Sequence, residues 1–288
     1  MPELPEVESL VRFLRQRAVG QAVADIQVSA VSVLKTYDPP LSALAGSLCT
    51  DVLRRGKFLD LDIDGLHLII HLARAGWLRW TDPISTSALR PGGKSPIAFR
   101  VRFGDGAGFD LTEAGTRKGL AVYLVRDPAQ VPGVARLGID VLSAAFTEQA
   151  LAELLKAAGS ARLKGVLTDQ TVLAGVGNAY SDEVLWAVGM SPFTPASSVR
   201  PEQVAALHKA LTRLLNEAIQ RSAGLAANSL KAEKKAGLAV HGRTNLPCPR
   251  CGGNIREIAF ADKSWQYCPT CQTGGKVLAD RRLSRLLK

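Results

Sequence analysis

The chain has 288 residues, of which 47% are hydrophobic and 22% charged, so it can bury a core, and a wholly disordered protein is excluded. Its apolar runs are far shorter than the roughly 20 residues that cross a bilayer, and the acidic N-terminus lacks the features of a signal peptide. The net charge is +10, and residues 223–288 hold 12 Lys or Arg against 4 acids.

A basic segment of this kind favours a polyanionic partner, most often nucleic acid, with a solubilising tail as the alternative. The length suits two domains, or one large domain with an appendage. We therefore expect a cytoplasmic protein without membrane association.

The first predicted element is a helix over residues 3–17, where apolar side chains recur at helical spacing. Removal of Met1 would leave the secondary amine of Pro2 free beside Glu3. An α-amino group titrates near pH 8, at about 7.7–8.0, so part of it is neutral and nucleophilic at neutral pH. From these residues alone, the simpler interpretation is that Pro2 merely starts the helix.

Short strand-like runs separated by Gly, Asp and Pro follow, and they predict a mainly antiparallel β-sandwich. The runs are 25–35, 48–64, 66–81, 97–103, 109–112 and 120–125. Lys57 lies between two strands in Arg-Arg-Gly-Lys, where it would supply a cation to the amine or be an ordinary surface turn residue. Cys49 is predicted to be a small buried hydrophobic residue.

From about residue 145 the pattern becomes helical, over residues 147–158, 161–172, 179–189 and 201–222. The second and third helices are joined through Gly175-Val176-Gly177-Asn178, in which glycine permits a close approach of backbone to a ligand. Asn178 would begin the next helix, where backbone amides and the helix dipole favour a phosphate. The alternative is an ordinary helical corner with Asn178 as the cap.

Four of the five cysteines form two Cys-x2-Cys pairs, Cys248 with Cys251 and Cys268 with Cys271. This is the spacing of a four-cysteine zinc site, and four thiolates complete a closed tetrahedral shell. Disulfides are the alternative, which the lack of a secretion signal disfavours. We predict one structural Zn²⁺ and, between the pairs, a β-hairpin that turns at residues 261–263 and carries Lys263 at its tip.

Together these features resemble the formamidopyrimidine-DNA glycosylase/endonuclease VIII family of DNA-repair enzymes along the whole chain. The resemblance is carried by residues 2–8 (PELPEVE), 54–59 (RRGKFL), 71–76 (HLARAG), 169–185 (DQTVLAGVGNAYSDEVL), 240–248 (VHGRTNLPC) and the four-cysteine finger. It implies an α+β fold with an N-terminal antiparallel β-sandwich and flanking helix over 1–130. A helix–two-turn–helix domain over 131–240 and a zinc-finger β-hairpin over 241–288 would follow.

The resemblance also implies a base-excision-repair DNA glycosylase with AP lyase activity, which removes oxidised or ring-opened bases from duplex DNA and nicks the abasic site by β/δ-elimination. Pro2 would be the Schiff-base nucleophile, Glu3 the acid at the sugar ring oxygen, and Glu6 a supporting residue. Lys57 would contact the phosphate beside the lesion. The implied partner is damaged double-stranded DNA, the implied cofactor is zinc, and the implied state is a monomer.

Four further residues are assigned to DNA binding by the same resemblance. Asn178 matches a turn asparagine that grips phosphate, and Arg243 lies in the segment before the first finger cysteine. Lys263 stands where the family's finger has an arginine, so it keeps the charge and loses bidentate geometry. Arg74 stands where the family often has a methionine wedge.

The chain departs from the family where the lesion and its partner base are read. Arg74 is not an apolar wedge, residues 111–119 lack the family's Phe wedge and offer Arg117 in its place, and residues 224–240 are shorter than the loop that caps 8-oxoguanine. We therefore expect oxidised pyrimidines or ring-opened purines to be preferred over 8-oxoguanine, because they stack less well.

Two other functions remain alternatives at this point. The first is a damaged-DNA-binding protein of the same fold with weak or lost glycosylase activity, against which the retained Pro2, Glu3, Glu6 and Lys57 argue. The second is a zinc-ribbon transcription or RNA-processing factor, which would have no need of the PELPEVE segment.

Overall fold

The computed structural model describes residues 1–92, 95–114, 118–260 and 263–279. Contacts divide the chain into two compact units, Met1–Leu137 with Ile219–Glu233, and Gly138–Ala218 with Lys234–Lys288. Each unit is therefore built from two separate stretches of chain. The predicted domain limits at residues 130 and 240 stay a prediction. Within the described ranges, no helix combines the length and the apolar character that a bilayer crossing needs.

The first unit opens with helix α1, Leu4–Ala18, in agreement with the predicted helix. Its apolar face is fully buried, including Leu10 and Leu14, which join the main hydrophobic core. Glu3 is the N-cap: its side chain accepts the backbone N–H of Glu6, and its backbone N–H donates to Glu6 Oε2 at 2.7 Å. This reciprocal capping box fixes where the helix begins.

In the described part of the first unit, eight antiparallel strands form two four-stranded sheets, which confirms the predicted antiparallel β-sandwich. The strands are β1 (Val23–Val28), β2 (Cys49–Arg55), β3 (Phe58–Ile63), β4 (Leu66–His71), β5 (Gly76–Thr81), β6 (Ile97–Phe103), β7 (Gly108–Glu113) and β8 (Ala121–Val125). One sheet has the order β2-β3-β4-β8 and the other β1-β6-β7-β5. Leu61 and Val122 of the first sheet share one buried cluster with Phe99 and Leu111 of the second, so the unit is a sandwich.

The antiparallel register gathers several chain connections at one edge of this sandwich. In the first sheet Phe58 pairs with His71, which pairs with Ala121, and in the second sheet Gly76 pairs with Glu113. We call this the Lys57 edge; it comprises residues 28–33, 55–58, 71–76, 90–97 and 113–121, apart from those outside the described ranges.

Helix α1 points its N-terminus towards the Lys57 edge. Glu8, in the second turn of the helix, contacts Arg54 near the end of β2, whereas Arg15, in the last turn, contacts Asp51 near the start of β2. The helix therefore runs antiparallel to β2, and the residues that precede it lie beside the turn that carries Lys57.

The second unit is helical and ends in the finger. Its elements are β9 (Ile139–Asp140), α3 (Glu148–Ala157), α4 (Leu163–Thr168), β10 (Leu173–Ala174), α5 (Asn178–Ala187), α6 (Pro201–Arg221), β11 (Arg256–Ala259), β12 (Ser264–Tyr267) and a last short helix, Pro269–Thr273. Two further short helices are α2 (Pro132–Ala135) and α7 (Leu230–Ala236). The last short helix, Pro269–Thr273, is therefore numbered α8. Helix α6 begins in the second unit and ends in the first. The predicted helix–two-turn–helix and hairpin arrangement is confirmed.

Three boundary predictions were wrong, and the first of them has a local cause. The helix predicted over 161–172 ends at Thr168, because the Asp169 side chain accepts the backbone N–H and hydroxyl of Thr171 and folds a turn instead. The strand predicted over 25–35 ends at Val28. The run predicted over 66–81 is two strands, separated at residues 72–75.

Two further features concern the loops. Helix α7 and the 3₁₀ turn Ala227–Ser229 before it were not predicted, and Ala227 and Leu230 join the core of the first unit. The predicted hairpin turn residues Ala261 and Asp262, and Arg117 of the proposed wedge replacement, lie outside the described residues.

Candidate functional site

The start of α1 buries two carboxylates next to Pro2. Glu3 is 1% exposed and Glu6 is 2% exposed, and Pro2 is buried behind Met1, which is 40% exposed. The backbone N–H of Glu3 occupies Glu6 Oε2, so Glu6 is fixed by the helix start itself. The sequence PELPE therefore creates a helix N-terminus that holds two acids beside the residue that removal of Met1 would leave first.

Lys57 lies in the two-residue turn between β2 and β3. Gly56 has φ of +55° at the first central position, where the tight hairpin turns that suit twisted strands require glycine. Lys57 follows it and is only 7% exposed, so it is not the ordinary surface turn residue that was the alternative.

Arg54 connects this turn to helix α1. Its Nε donates to Glu8 Oε2 at 2.9 Å and its Nη1 to the carbonyl of Gly56 at 3.2 Å, and the side chain is 9% exposed. The exposed Arg12 contacts the other oxygen of Glu8 at 3.1 Å. The turn carrying Lys57 and the helix that begins after Glu3 are thus held by one guanidinium group.

His71 also lies at this edge, and the sequence analysis assigned it no role. It ends β4, and its ring lies against Phe58 with the ring centroids 4.5 Å apart. Burial, and then the charge of Lys57, lower the pKa of His71 to about 4. A neutral imidazole therefore lies within electrostatic range of Lys57 at neutral pH. The only indication in the sequence was its place in HLARAG.

Arg74 is exposed in the connection from β4 to β5, also at the Lys57 edge. The backbone beside it is tightly constrained: Ala73 has φ of +50°, and a Cβ on Gly76 would lie 2.2 Å from the carbonyl oxygen of Leu72. Arg74 is therefore presented on a turn that ends at a glycine, where any larger residue would force the backbone to move.

Asn178 is the first residue of α5, and Gly177 is the N-cap, so the alternative in which Asn178 caps the helix is wrong. The side-chain Nδ2 donates to the carbonyl of Ser264 at 2.8 Å. Ser264 follows Lys263, which is exposed and closes the hairpin by accepting the N–H of Phe260 at 2.8 Å. The glycine-rich turn and the tip of the finger are thereby brought together.

A buried ionic network supports this contact. Lys164 is fully buried in α4; its Nζ donates to the carbonyl of Asn178 at 2.9 Å and pairs with Asp182 of α5. The second oxygen of Asp182 lies 2.7 Å from His241 Nδ1. The sequence predicted no role for these residues. A single lysine in a short apolar helix cannot be distinguished from a surface lysine until the tertiary packing is known.

Glu183, the neighbour of Asp182, fixes the entry to the finger. Its carboxylate accepts three consecutive backbone N–H groups, from Ala239, Val240 and His241, at 2.8 to 2.9 Å. Arg243 follows, half-buried, and its Nε has no hydrogen-bond partner among the described residues. The structure thus places Arg243 on a fixed segment.

The four finger cysteines have the geometry of a zinc site. Their Sγ atoms all lie within 4.8 Å of one another, with 3.9 Å between Cys248 and Cys271 and 3.4 Å between Cys251 and Cys268. A tetrahedron with Zn–S bonds of about 2.3 Å has sulfur atoms about 3.8 Å apart, whereas a disulfide needs about 2.05 Å. No disulfide joins any of the four, so the disulfide alternative is wrong. Trp186 Nε1 also donates to Cys248 Sγ at 3.3 Å, which suits a thiolate ligand.

Three family models match successive parts of the chain. They are the formamidopyrimidine-DNA glycosylase N-terminal domain over residues 1–119, the H2TH domain of the same glycosylase over 137–229, and a zinc finger found in FPG and IleRS over 245–274. A formamidopyrimidine-DNA glycosylase of Geobacillus kaustophilus is 34% identical over 94% of this chain and 100% of its own length.

The chain belongs to the formamidopyrimidine-DNA glycosylase family. A shorter family member, an uncharacterized formamidopyrimidine-DNA glycosylase-like protein of Mycobacterium tuberculosis, is 54% identical over 56% of this chain and 99% of its own length. The Lactococcus lactis family member, solved in complex with DNA containing an abasic site, superposes with a TM-score of 0.81 at 28% identity, covering 94% of this chain and 99% of that one.

Family membership confirms the resemblance, the fold class and the structural zinc that the sequence predicted. In this family member the zinc is held by Cys248, Cys251, Cys268 and Cys271. The roles of the individual residues Pro2, Glu3, Glu6, Lys57, Arg74, Asn178, Arg243 and Lys263 stay predictions.

Proposed function

We propose that the protein is a bifunctional DNA glycosylase and AP lyase of base excision repair, which uses the amine of Pro2 on damaged duplex DNA. The observation that carries the proposal is the convergence at one sandwich edge of a buried acidic helix start, Glu3 and Glu6, with a buried cation, Lys57. Solved relatives bound to abasic-site DNA and to FAPY-dG-containing DNA support duplex DNA as the substrate class.

The proposed chemistry needs a free secondary amine. Once Met1 is removed, the Pro2 nitrogen attacks C1′ of the damaged nucleotide, and the C1′–base bond breaks as the base leaves. Glu3 protonates the ring oxygen as the sugar opens, which yields an iminium ion between Pro2 and C1′. The iminium charge acidifies C2′, so loss of a C2′ proton expels the 3′ phosphate, and a second elimination expels the 5′ phosphate.

The remaining site residues are proposed to hold the DNA. Lys57 neutralises the phosphate beside the lesion, and Asn178 and Lys263 together grip another phosphate; the 2.8 Å hydrogen bond from Asn178 to Ser264 supports their joint action. Arg74 and Arg243 bind DNA from the sandwich and from the finger segment. A zinc ion bound by the finger cysteines supplies rigidity to the hairpin that carries Lys263, and no reacting bond involves it.

We also propose a lesion preference: abasic sites first, then saturated or ring-opened bases, then 8-oxoguanine opposite cytosine. Extruding a stacked base costs a few kcal/mol, and inserted side chains offset part of that cost. Arg74 replaces an apolar wedge in this chain. Single-turnover rates on matched duplexes test the order, and excision of 8-oxoguanine as fast as the best damaged base would contradict it.

The central experiment is borohydride trapping on abasic duplex DNA, with the free Pro2 terminus verified by mass spectrometry. Wild-type protein should give a covalent adduct and a nicked strand, and Pro2→Gly should weaken both, because a primary amine replaces the secondary one. Pro5→Ala is the matched control, since Pro5 lies in the first turn of the same helix and offers no amine. Binding without an adduct or a nick would leave a damage-binding protein and would contradict the enzymatic proposal.

A further inference from the structure

A small cavity of about 200 Å³ opens at the Lys57 edge, on the side of the second sheet, and apolar side chains such as Val33 and Ile97 line it together with polar ones. We call it the edge pocket, and its polar lining consists of Ser29, Ser32, Arg90, Ser95, Glu113 and Lys118. It is smaller than the roughly 300–1,000 Å³ of sites that enclose drug-sized ligands. Its size and its hydroxyl and cationic lining suit a small anion.

The charges around the edge pocket favour an anion as the occupant. Arg90 is exposed and has no ion pair among the described residues, and Lys118 keeps two of its three N–H donors after donating to the carbonyl of Glu113 at 2.7 Å. Glu113, the acid of the pocket, is 3% exposed, and its Oε1 accepts the backbone N–H groups of Gly119 at 2.7 Å and Leu120 at 2.9 Å. Backbone donors therefore offset its charge, and the accessible charge is positive.

The position of the edge pocket indicates the source of the anion. Ile97, the first residue of β6, lines the pocket and pairs with Thr112 next to Glu113, and Gly76 of the Arg74 turn pairs with Glu113 itself. The pocket and Lys57 thus lie at the same edge, on opposite sheets. Packed sheets are about 10 Å apart, and successive phosphates of one strand rise about 3.4 Å. A duplex that lies along this edge presents phosphates to both places.

We propose that the edge pocket binds a backbone phosphate of the DNA whose damaged nucleotide is held at Pro2 and Lys57. This inference rests on the proposed function, because it takes damaged duplex DNA as the ligand. The phosphate lies across the sandwich edge from the one at Lys57, and Arg90, Lys118 and the Ser32 hydroxyl are its donors. The contact reads no base, so it acts equally on every sequence.

The test is the salt dependence of binding to a duplex with a tetrahydrofuran abasic analogue, measured by fluorescence anisotropy. Arg90→Gln should raise Kd about fivefold at 0.15 M salt and flatten the plot of log K against log salt by about one. Ser32→Asp, at an exposed position, should weaken binding further, since it adds a negative charge to the pocket. Arg79→Gln is the matched control, an exposed arginine of β5 outside the pocket, and it should leave Kd and slope unchanged.

The outcomes separate this inference from the proposed function. Wild-type protein that traps on abasic DNA, with Arg90→Gln and Ser32→Asp matching it in Kd and slope, would overturn the edge pocket and leave the proposed function standing. Wild-type protein that neither binds nor nicks the duplex contradicts the proposed function itself. A titration with inorganic phosphate covers the other source: phosphate bound by wild type and lost in Arg90→Gln, with DNA slopes identical, would mean a free-anion site and overturn the proposal.

Discussion

Lys57 lies in a two-residue turn, yet its side chain is only 7% exposed. Its positive charge acts on the nearby His71. His71, the residue opposite Phe58, has its pKa lowered to about 4, by burial first and by Lys57 second. In an unfolded chain a histidine titrates at about 6.5. The folded protein therefore holds a neutral imidazole where the unfolded chain takes up a proton.

This difference predicts a pH dependence of stability. Between pH 6.5 and about 4 the unfolded state binds one more proton at His71 than the folded state, so stability falls as pH falls through this window. The full effect is on the order of 3 kcal/mol. Urea unfolding at pH 7 and pH 4.5 measures it, and His71→Gln should lose less stability between the two values than wild type. An equal loss in both proteins would show that His71 does not carry the effect.

Arg54 is predicted to act as a positioning residue for Lys57. Arg54→Gln removes the ion pair between Arg54 and Glu8 and the hydrogen bond from Arg54 to the Gly56 carbonyl. The turn that carries Lys57 is then held less firmly against α1. We expect single-turnover nicking at saturating enzyme to fall about tenfold, the loss that about 1.4 kcal/mol produces, with a smaller change in Kd. Arg54→Lys should recover part of the rate, which a purely structural loss would not predict.

The control for Arg54 is Arg12→Gln, which removes the exposed partner of the same carboxylate. Exposed ion pairs contribute about 0–1 kcal/mol, so this variant should match wild type in rate and nearly in stability. Equal losses in Arg12→Gln and Arg54→Gln would mean that the charge of Glu8, and not the turn, is what matters.

Among single residues, the sequence indicates candidate site residues that belong to short motifs. It does not indicate residues whose role depends on a tertiary contact. Lys57 and Asn178 could be proposed because each follows a glycine in a turn and lies in a motif of the family, and their roles stay predictions. Lys164 and Asp182 are missed because they are 18 positions apart, on two different helices, so their pairing leaves no local pattern in the sequence. Glu183 is missed for the same reason: its three backbone donors come from a segment more than 50 positions away.

Among the elements, the connection between β4 and β5 shows how a glycine determines a loop. A Cβ on Gly76 would lie 2.2 Å from the carbonyl oxygen of Leu72, a contact that requires the backbone to move. Since Arg74 lies between these two residues, a change at Gly76 alters how that side chain is presented.

Gly76→Ala is therefore predicted to destabilise the protein by about 2 kcal/mol or more and to weaken DNA binding as Arg74 shifts. Gly165→Ala is the matched control, because Gly165 lies within α4 and a Cβ there meets nothing within 4 Å. The control should be stabilised by about 0.5–1 kcal/mol, as expected for glycine replaced in a helix. Thermal unfolding of both variants checks the pair, and a neutral Gly76→Ala would contradict the steric argument.

The strands and long helices were predictable because alternation and helical spacing report burial directly. The exceptions lie where a side chain competes with the helix or the strand, as Asp169 does when it ends α4 with its own hydrogen bonds. Helix α7 was missed because only Leu230 of its residues is buried, too few to create a pattern. Helix α7 is stabilised by packing against core residues that are distant in the sequence, so the local sequence does not predict it.

For the molecule as a whole, the finger is the part whose stability depends on a metal. Its hydrophobic cluster is small, with Val240, Ile255 and the cysteines Cys248 and Cys268 at its centre. Zinc binding therefore supplies much of the folding free energy of this segment.

We predict one zinc per chain by metal analysis, lost in Cys268→Ser together with most DNA binding. Cys49→Ala is the matched control, since Cys49 is fully buried in the first unit and far along the chain from the finger. This variant should keep its zinc and its DNA affinity and lose some stability to the smaller side chain. Full DNA affinity in a verified zinc-free protein would contradict the role given to the finger.

The first unit is completed by residues that the ribosome makes late. Ala227 and Leu230, each 1% exposed, belong to the core built by α1 and the two sheets, yet more than 80 residues of the second unit are synthesised before them. Domains usually fold in the order of their synthesis. Here the sandwich emerges from the exit tunnel with a gap in its core, so a fragment that ends at Leu137 should be poorly soluble.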